Sequence, residues 1–220
     1  MIRFLSPLNL FFIAIGVVAT IVGFAVIPAS MALPAHWGID GQPDATLPRN
    51  WALLQMVAVI AVVWGIFWAI DRFGNAERRA ASTHVMNVAL SAITGLMVLI
   101  QVLVVMVGLG IAVDVVRAVV VGIALMQVAL GNVFPKSQPN NIAGLRIRSA
   151  LASPANWQAT HRLVGKLTIA SGLALLIATL FLPVGIWLFV AVFAAWIAPL
   201  SVGLVFSLLY ARSHRLDVSP

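Results

Sequence analysis

From Val85 to Val133 the chain reads VMNVALSAITGLMVLIQVLVVMVGLGIAVDVVRAVVVGIALMQVALGNV. One helix needs about 20 largely apolar residues to cross the hydrocarbon layer, so the run is long enough for two. Gly108, Gly110 and Asp114 interrupt it. The reading is a tight turn between two membrane-spanning helices, over 86–108 and 115–134. Asp114 and Arg117 lie three apart on one helical face and are expected to pair at the interface.

Outward from this stretch, four further segments have the length and apolarity of spans: 8–30, 51–70, 164–182 and 185–210. Arg3, the apolar run Leu8–Val26 and the small residues after Pro28 superficially imitate a signal peptide. That run exceeds the roughly 7–15 residues of a signal h-region and is expected to be the first transmembrane helix. Pro183 and Gly185 mark the last turn, and Pro199 is expected to kink the sixth helix. The predicted fold class is all-α: a polytopic membrane bundle of about six helices.

Composition agrees. Of 220 residues, 62% are hydrophobic and 9% are charged, where soluble domains carry about 25% charged residues. The mean hydropathy is +1.09. A net charge of +7 would suggest nucleic acid in a soluble protein. Here retention of Lys and Arg in cytoplasmic loops explains it, and no nucleic-acid partner is expected. With the N-terminus inside, all 13 basic residues except Arg49 and Arg117 fall on the cytoplasmic side. Both termini are therefore expected in the cytoplasm. Trp51 and Trp187 at the outer edge, with Trp157 and Tyr210 at the inner edge, suit the aromatic belts.

The spans hold little polar chemistry. Gln55, Gln101 and Gln127 are their notable polar side chains, and no ionisable group falls near a span's middle, which argues against a pump or ion-coupled transporter. Ala170, Ala174 and Ala178, and separately Gly16 and Gly23, are spaced for close helix packing. The chain has no cysteine. Nor does it have a paired-carboxylate site, a phosphate loop or a nucleophile beside a base. No enzyme activity, cofactor or metal is expected.

Specificity is therefore expected in two loops. The outer one, Leu33 to Asn50, contains Asp40-Gly41 and Pro43-Asp44, which are turn chemistry. A compact lid over the helix ends is predicted. His36, Asp40 and Asp44 could ligate a metal, but loop hydrogen bonding accounts for them more simply. The lid could also present His36 and Trp37 to an extracellular partner. Pro34, His36-Trp37 and Gly41-Gln42-Pro43-Asp44 resemble the core of the domain of unknown function DUF1648, and the resemblance covers 1–71.

The inner loop spans 135–162. Ser153-Pro154 reads as an N-cap and first-turn proline opening a helix that continues into the fifth span. Trp157, His161 and Val164 share one face of it with Thr160 beside them, and Arg162 points elsewhere. Arg146, Arg148, His161 and Arg162 crowd a helix N-terminus, which favours an anion: a lipid phosphate, an acidic peptide or a regulatory protein. The alternative is that these are topology charges snorkelling to lipid head groups.

Gly131-Asn132, Pro139-Asn140, Gly144-Leu145-Arg146, Leu151 and Trp157-x-x-Thr160-His161-Arg162-x-x-Gly165 together resemble the SdpI family of bacterial membrane proteins, over 72–220. The chain departs at Ile147, where the family favours Thr, and at Ser149-Ala150, where it favours Trp-Thr. The resemblance implies an immunity or signalling protein of the bacterial plasma membrane. Its outer loop would meet a secreted toxin, and its inner loop would hold a cytoplasmic regulator. The other reading is an accessory subunit of a larger membrane complex, such as a respiratory one.

Overall fold

A computed structural model describes residues 1–216, with the side chains of Arg78 and of residues 214–216 outside that description. Arg78 and Arg215, both counted above as inner-side charges, therefore lie outside the described side chains. The Val85–Val133 run does fold as two helices. Among the described residues six helices are long and apolar enough to cross a membrane. They are α1 (Pro7–Val26), α2 (Arg49–Phe73), α3 (Ala76–Gly108), α4 (Val115–Val133), α6 (Pro154–Phe181) and α7 (Ile186–Leu216), with a short helix α5 (Arg148–Leu151) before α6.

Packing gathers them into two groups. Helix α3 lies against α1 and α2, α6 lies against α4 and α7, and the α3–α4 contact joins the halves. The boundary at 71/72 between the two sequence segments therefore coincides with no gap in the packing. Ile27, Leu33, Leu53 and Val104 form one buried cluster. Val120, Ala124, Leu175 and Leu188 form another. One end of the bundle carries the N-terminus, the α2–α3 turn and the loop from α4 to α6, and with them most of the basic residues. The opposite end carries the turns α3–α4 and α6–α7 and the segment between α1 and α2.

The all-α bundle carries one addition in that segment. The predicted lid is an antiparallel hairpin of β1 (Ala32–Trp37) and β2 (Pro43–Pro48), with Leu33 opposite Leu47 and an irregularity after Pro34. Three prolines hid it from pattern reading, since proline cannot donate to a ladder. A two-stranded hairpin consists only of edges, where proline is tolerated. Leu33 anchors the hairpin by burying its whole side chain among the ends of α1, α2 and α3.

Close helix approach comes from glycine, and not from the alanines singled out in the sequence. Ala170 and Ala174 face outward. The buried stripe of α6 runs through Gly165, Thr168, Gly172 and Leu175. A Cβ on Gly131 would lie 2.8 Å from the Gly165 carbonyl oxygen, and one on Gly165 would lie 2.6 Å from that of Gly131. The α4 and α6 backbones are in contact there. Gly16 and Gly23 do pack inward, against Val98 and Leu53 respectively.

Hydrocarbon offers no hydrogen bonds, so each backbone group freed from a helix needs a partner within the protein. Pro199 lies inside α7 and cannot donate to the carbonyl of Ala195, four residues earlier. Gln127 of α4 supplies the missing donor, its Nε2 bonding both to Ala195 O and, at 3.1 Å, to Ser171 Oγ. In the other half Gln101 Nε2 donates to Thr20 Oγ1 and to Leu53 O, each at 3.0 Å, tying α3 to α1 and α2. Gln55 is only half-buried.

The two basic residues that broke the charge asymmetry serve the same need. Arg49 Nη1 donates to Ile27 O at 2.6 Å, at the C-terminus of α1. Asp114 caps α4 and receives Arg117 Nε at 3.0 Å, the predicted pair. Arg117 Nη2 also reaches Leu182 O at 3.2 Å, at the C-terminus of α6. A cation at a helix C-terminus meets both unpaired carbonyls and the negative end of the helix dipole.

The Gln127–Ala195 bond makes a quantitative prediction. Gln127→Leu should cost about 1 kcal/mol of stability in detergent unfolding, within the range of interhelical bonds in membranes. In a Pro199→Ala background, where the helix can satisfy the Ala195 carbonyl itself, the cost should shrink. Equal costs in both backgrounds would refute the coupling.

Candidate functional site

The loop from α4 to α6 contains little regular structure, so side chains must satisfy its backbone. Asn140 does most at its first bend. Its Oδ1 accepts from Ile142 N and Ala143 N, both at 2.8 Å, and its Nδ2 donates to Gln138 O at 2.7 Å. The chain then passes through Gly144 at φ +106°, a left-handed conformation that favours glycine. Space demands glycine there too, because a Cβ would lie 2.5 Å from His161 Nε2.

That close approach lets Leu145 N donate to His161 Nε2 at 3.0 Å. An accepting Nε2 carries no proton, so the other ring nitrogen, Nδ1, is the N–H that donates to Trp157 O at 2.9 Å. The His161 ring stacks on Trp157 with centroids 3.9 Å apart. Trp157 Nε1 in turn donates to Ser137 O at 3.1 Å, back at the start of the loop. Two aromatic rings one helical turn apart thus hold both arms of the loop.

A second set of bonds fastens the loop's end to α7. Asn156 Nδ2 donates to Ser149 O and Ser207 O, each at 2.9 Å, and Asn156 Oδ1 accepts from Thr160 Oγ1 at 2.9 Å. Ser149 Oγ lies 2.8 Å from Ser207 Oγ, and Ala150 is fully buried. The departure at Ser149-Ala150 thus falls at a packed contact between α5 and α7. Ser137, Asn156 and Ser207 were not singled out from the sequence. Asn156 sits at the third helical position after the cap Ser153, a placement that capping alone explains.

The predicted inner site changes accordingly. Asn140, Trp157, Thr160 and His161 are buried and hold the loop's shape. His161 therefore leaves the proposed anion cluster, since both ring nitrogens are committed and its face is covered. Trp157 leaves the aromatic belt for the same reason. Arg146, Arg148, Arg162 and Asn132 are exposed. Arg146 Nη1 donates to Asn141 O at 2.7 Å, which holds it against the loop.

At the opposite end the hairpin presents one polar pair. His36 Nδ1 lies 2.6 Å from Asp44 Oδ1, with the side chains 70% and 52% exposed. Asp40 Oδ1 instead accepts Gln42 N at 3.0 Å, closing the turn. Gly41, at φ +78°, brings the tip against Val184 of the α6–α7 turn. Trp37 packs half-buried toward the core, with Pro43 opposite it in register. The three residues weighed as metal ligands thus have other uses: His36 and Asp44 pair together and Asp40 serves the turn. Among the described residues no group of three or more His, Cys, Asp or Glu could hold a metal ion.

Residues 136–210 match the model of the SdpI/YfhL protein family. The match spans the whole Asn140–Gly144–Trp157–His161 arrangement, α5, α6 and most of α7. It starts beyond the hairpin, whose resemblance rests on its own residues. No curated protein and no solved structure matches the chain. The chain has the six long apolar helices of a multi-pass membrane protein, and its segment 136–210 is similar to the SdpI/YfhL family.

The inner loop's shape should fail at its narrowest point. Gly144→Ala adds both backbone strain and a collision with His161, and should lower stability by about 1–3 kcal/mol in detergent unfolding. Arg148→Ala, at an exposed position, should stay within about 0.5 kcal/mol of wild type. Equal losses would mean that the Gly144–His161 contact does not hold the loop.

Proposed function

We propose that this SdpI-type membrane protein protects a bacterial plasma membrane from a secreted membrane-active toxin and holds a cytoplasmic regulator at the membrane. The observation that carries the reading lies within the family-matched segment. There the buried aromatic and amide residues fix one shape of loop, and that loop exposes Arg146 and Arg148. A rigid basic surface suits an acidic patch on a protein partner, because charged groups that need no reordering lose little entropy on binding.

In this proposal both termini are cytoplasmic. Its support is the concentration of exposed basic side chains at one end, while Arg49 and Arg117 at the other are spent on helix carbonyls. The hairpin then faces outward. Its exposed His36–Asp44 pair and the exposed Ile39 at the tip would meet the toxin. The role includes no chemical step.

A second reading, an accessory subunit of a larger membrane complex, draws on one feature. Helix α2 is the least buried span, exposing Trp51, Val62, Ile66 and Trp68 along its length. A neighbouring subunit could cover that face as well as lipid does. Native size in mild detergent separates the readings: a stable larger assembly favours the subunit, and a free monomer or homodimer opposes it.

Expression in toxin-sensitive bacteria should raise survival. Replacing both His36 and Asp44 by Ala should reduce that protection. Arg146→Ala with Arg148→Ala should release a bound regulator from the membrane without unfolding the bundle. Unchanged survival across a panel of membrane-active peptides would sink the immunity reading.

A further inference from the structure

A groove of about 910 Å³ runs between α1 and α4 along the surface of α3 and opens at the end of the bundle that carries the N-terminus. The size is that of a site for a small organic ligand. Its α3 wall extends from Thr83 to Leu99, about 24 Å at the helical rise. Polarity changes along that wall. Thr83, His84, Asn87 and Ser91 lie at the mouth, while Ala92, Gly95, Leu96 and Leu99 continue inward with Phe12 and Leu125 opposite.

The mouth carries the Arg3 guanidinium beside the His84 imidazole, and no Asp or Glu lines it. Asn87 Oδ1 accepts Arg3 N at 2.7 Å, which fixes the Arg3 backbone beside the opening. Both the Arg3 and His84 side chains are exposed, and neither has a hydrogen bond or ion pair among the described residues. Donors with no acceptor of their own thus ring one end of an apolar channel.

We infer that the groove binds one anionic phospholipid, its phosphate headgroup held by Arg3, His84 and Asn87 and an acyl chain lying along α3. The physical argument concerns where selectivity can arise. An acyl chain gains almost nothing on moving from bilayer to groove, because lipid tails are as apolar as leucine. Preference must therefore come from the headgroup, through charge-assisted hydrogen bonds to the phosphate and attraction of its net charge. Cation without a competing carboxylate is the complement an anionic headgroup needs. The site shares no lining residue with the Arg146–Arg148 loop and does not depend on the proposed immunity role.

The test is native mass spectrometry of the full chain in mild detergent, with phosphatidylglycerol or phosphatidylcholine of matched chains. One phosphatidylglycerol should be retained in preference to phosphatidylcholine, and shortening its chains should matter little. Arg3→Gln should reduce that preference about fivefold, the equivalent of roughly 1 kcal/mol per basic residue at an anionic membrane surface. Ala92→Phe, which fills the floor, should reduce retention of both lipids. Arg146→Gln with Arg148→Gln should leave the preference intact. Equal retention of the two lipids would overturn the assignment. So would full preference in an Arg3→Gln, His84→Gln double variant, loss of preference in the loop variant, or a dimer whose second copy occupies the groove.

Discussion

Every backbone donor and acceptor inside a membrane must find its partner in the protein, and the arrangement of this bundle follows from that constraint. Pro199 opens a gap in the hydrogen bonding of α7, and Gln127 of α4 closes it from 68 residues away in sequence. The bond also fixes the α4–α6–α7 group, since the same amide reaches Ser171 on α6. Arg49 and Arg117 apply the same solution at helix ends. Side chains that look like isolated polar intrusions are thus completing the backbone of a neighbour.

The inner loop meets the constraint differently, because it has no helix to continue. Its Asn140, Trp157 and His161 side chains replace a ladder of backbone bonds, and Gly144 provides the space for the closest contact. Residues typical of a binding motif are thereby consumed in making a shape. What the loop offers to a partner is the arginines it leaves exposed. Histidine with one ring nitrogen accepting and one donating to backbone suits this structural role better than a variable one.

The two ends of the bundle divide the remaining work. The hairpin end rests its tip against Val184 and has Arg49 and Arg117 engaged by carbonyls. The opposite end exposes basic side chains in two places, the inner loop and the mouth of the α1–α4 groove. Two basic features with different neighbours can serve different ligands. One sits on an ordered loop, and the other sits above an apolar channel.

Apolar run lengths, the breaks at Gly108–Asp114 and Pro183–Gly185, and the Ser153-Pro154 start are local signals, and the sequence by itself determined six spans from them. It also determined the asymmetry of basic charge, the Asp114–Arg117 pair and the shared face of Trp157, His161 and Val164, because each involves residues within a few positions of one another. The order of residues around Asn140 and His161 was enough to point to the family. Which side of α6 meets α4, that Trp157 and His161 are covered and not presented, and that the outer lid is a hairpin were decided only by tertiary structure. So were the acceptors of Gln127, Arg49 and Arg117. Those acceptors lie 22 to 68 positions from their donors, and in a uniformly apolar chain hydrophobic periodicity carries no mark of which face lies toward protein and which toward lipid.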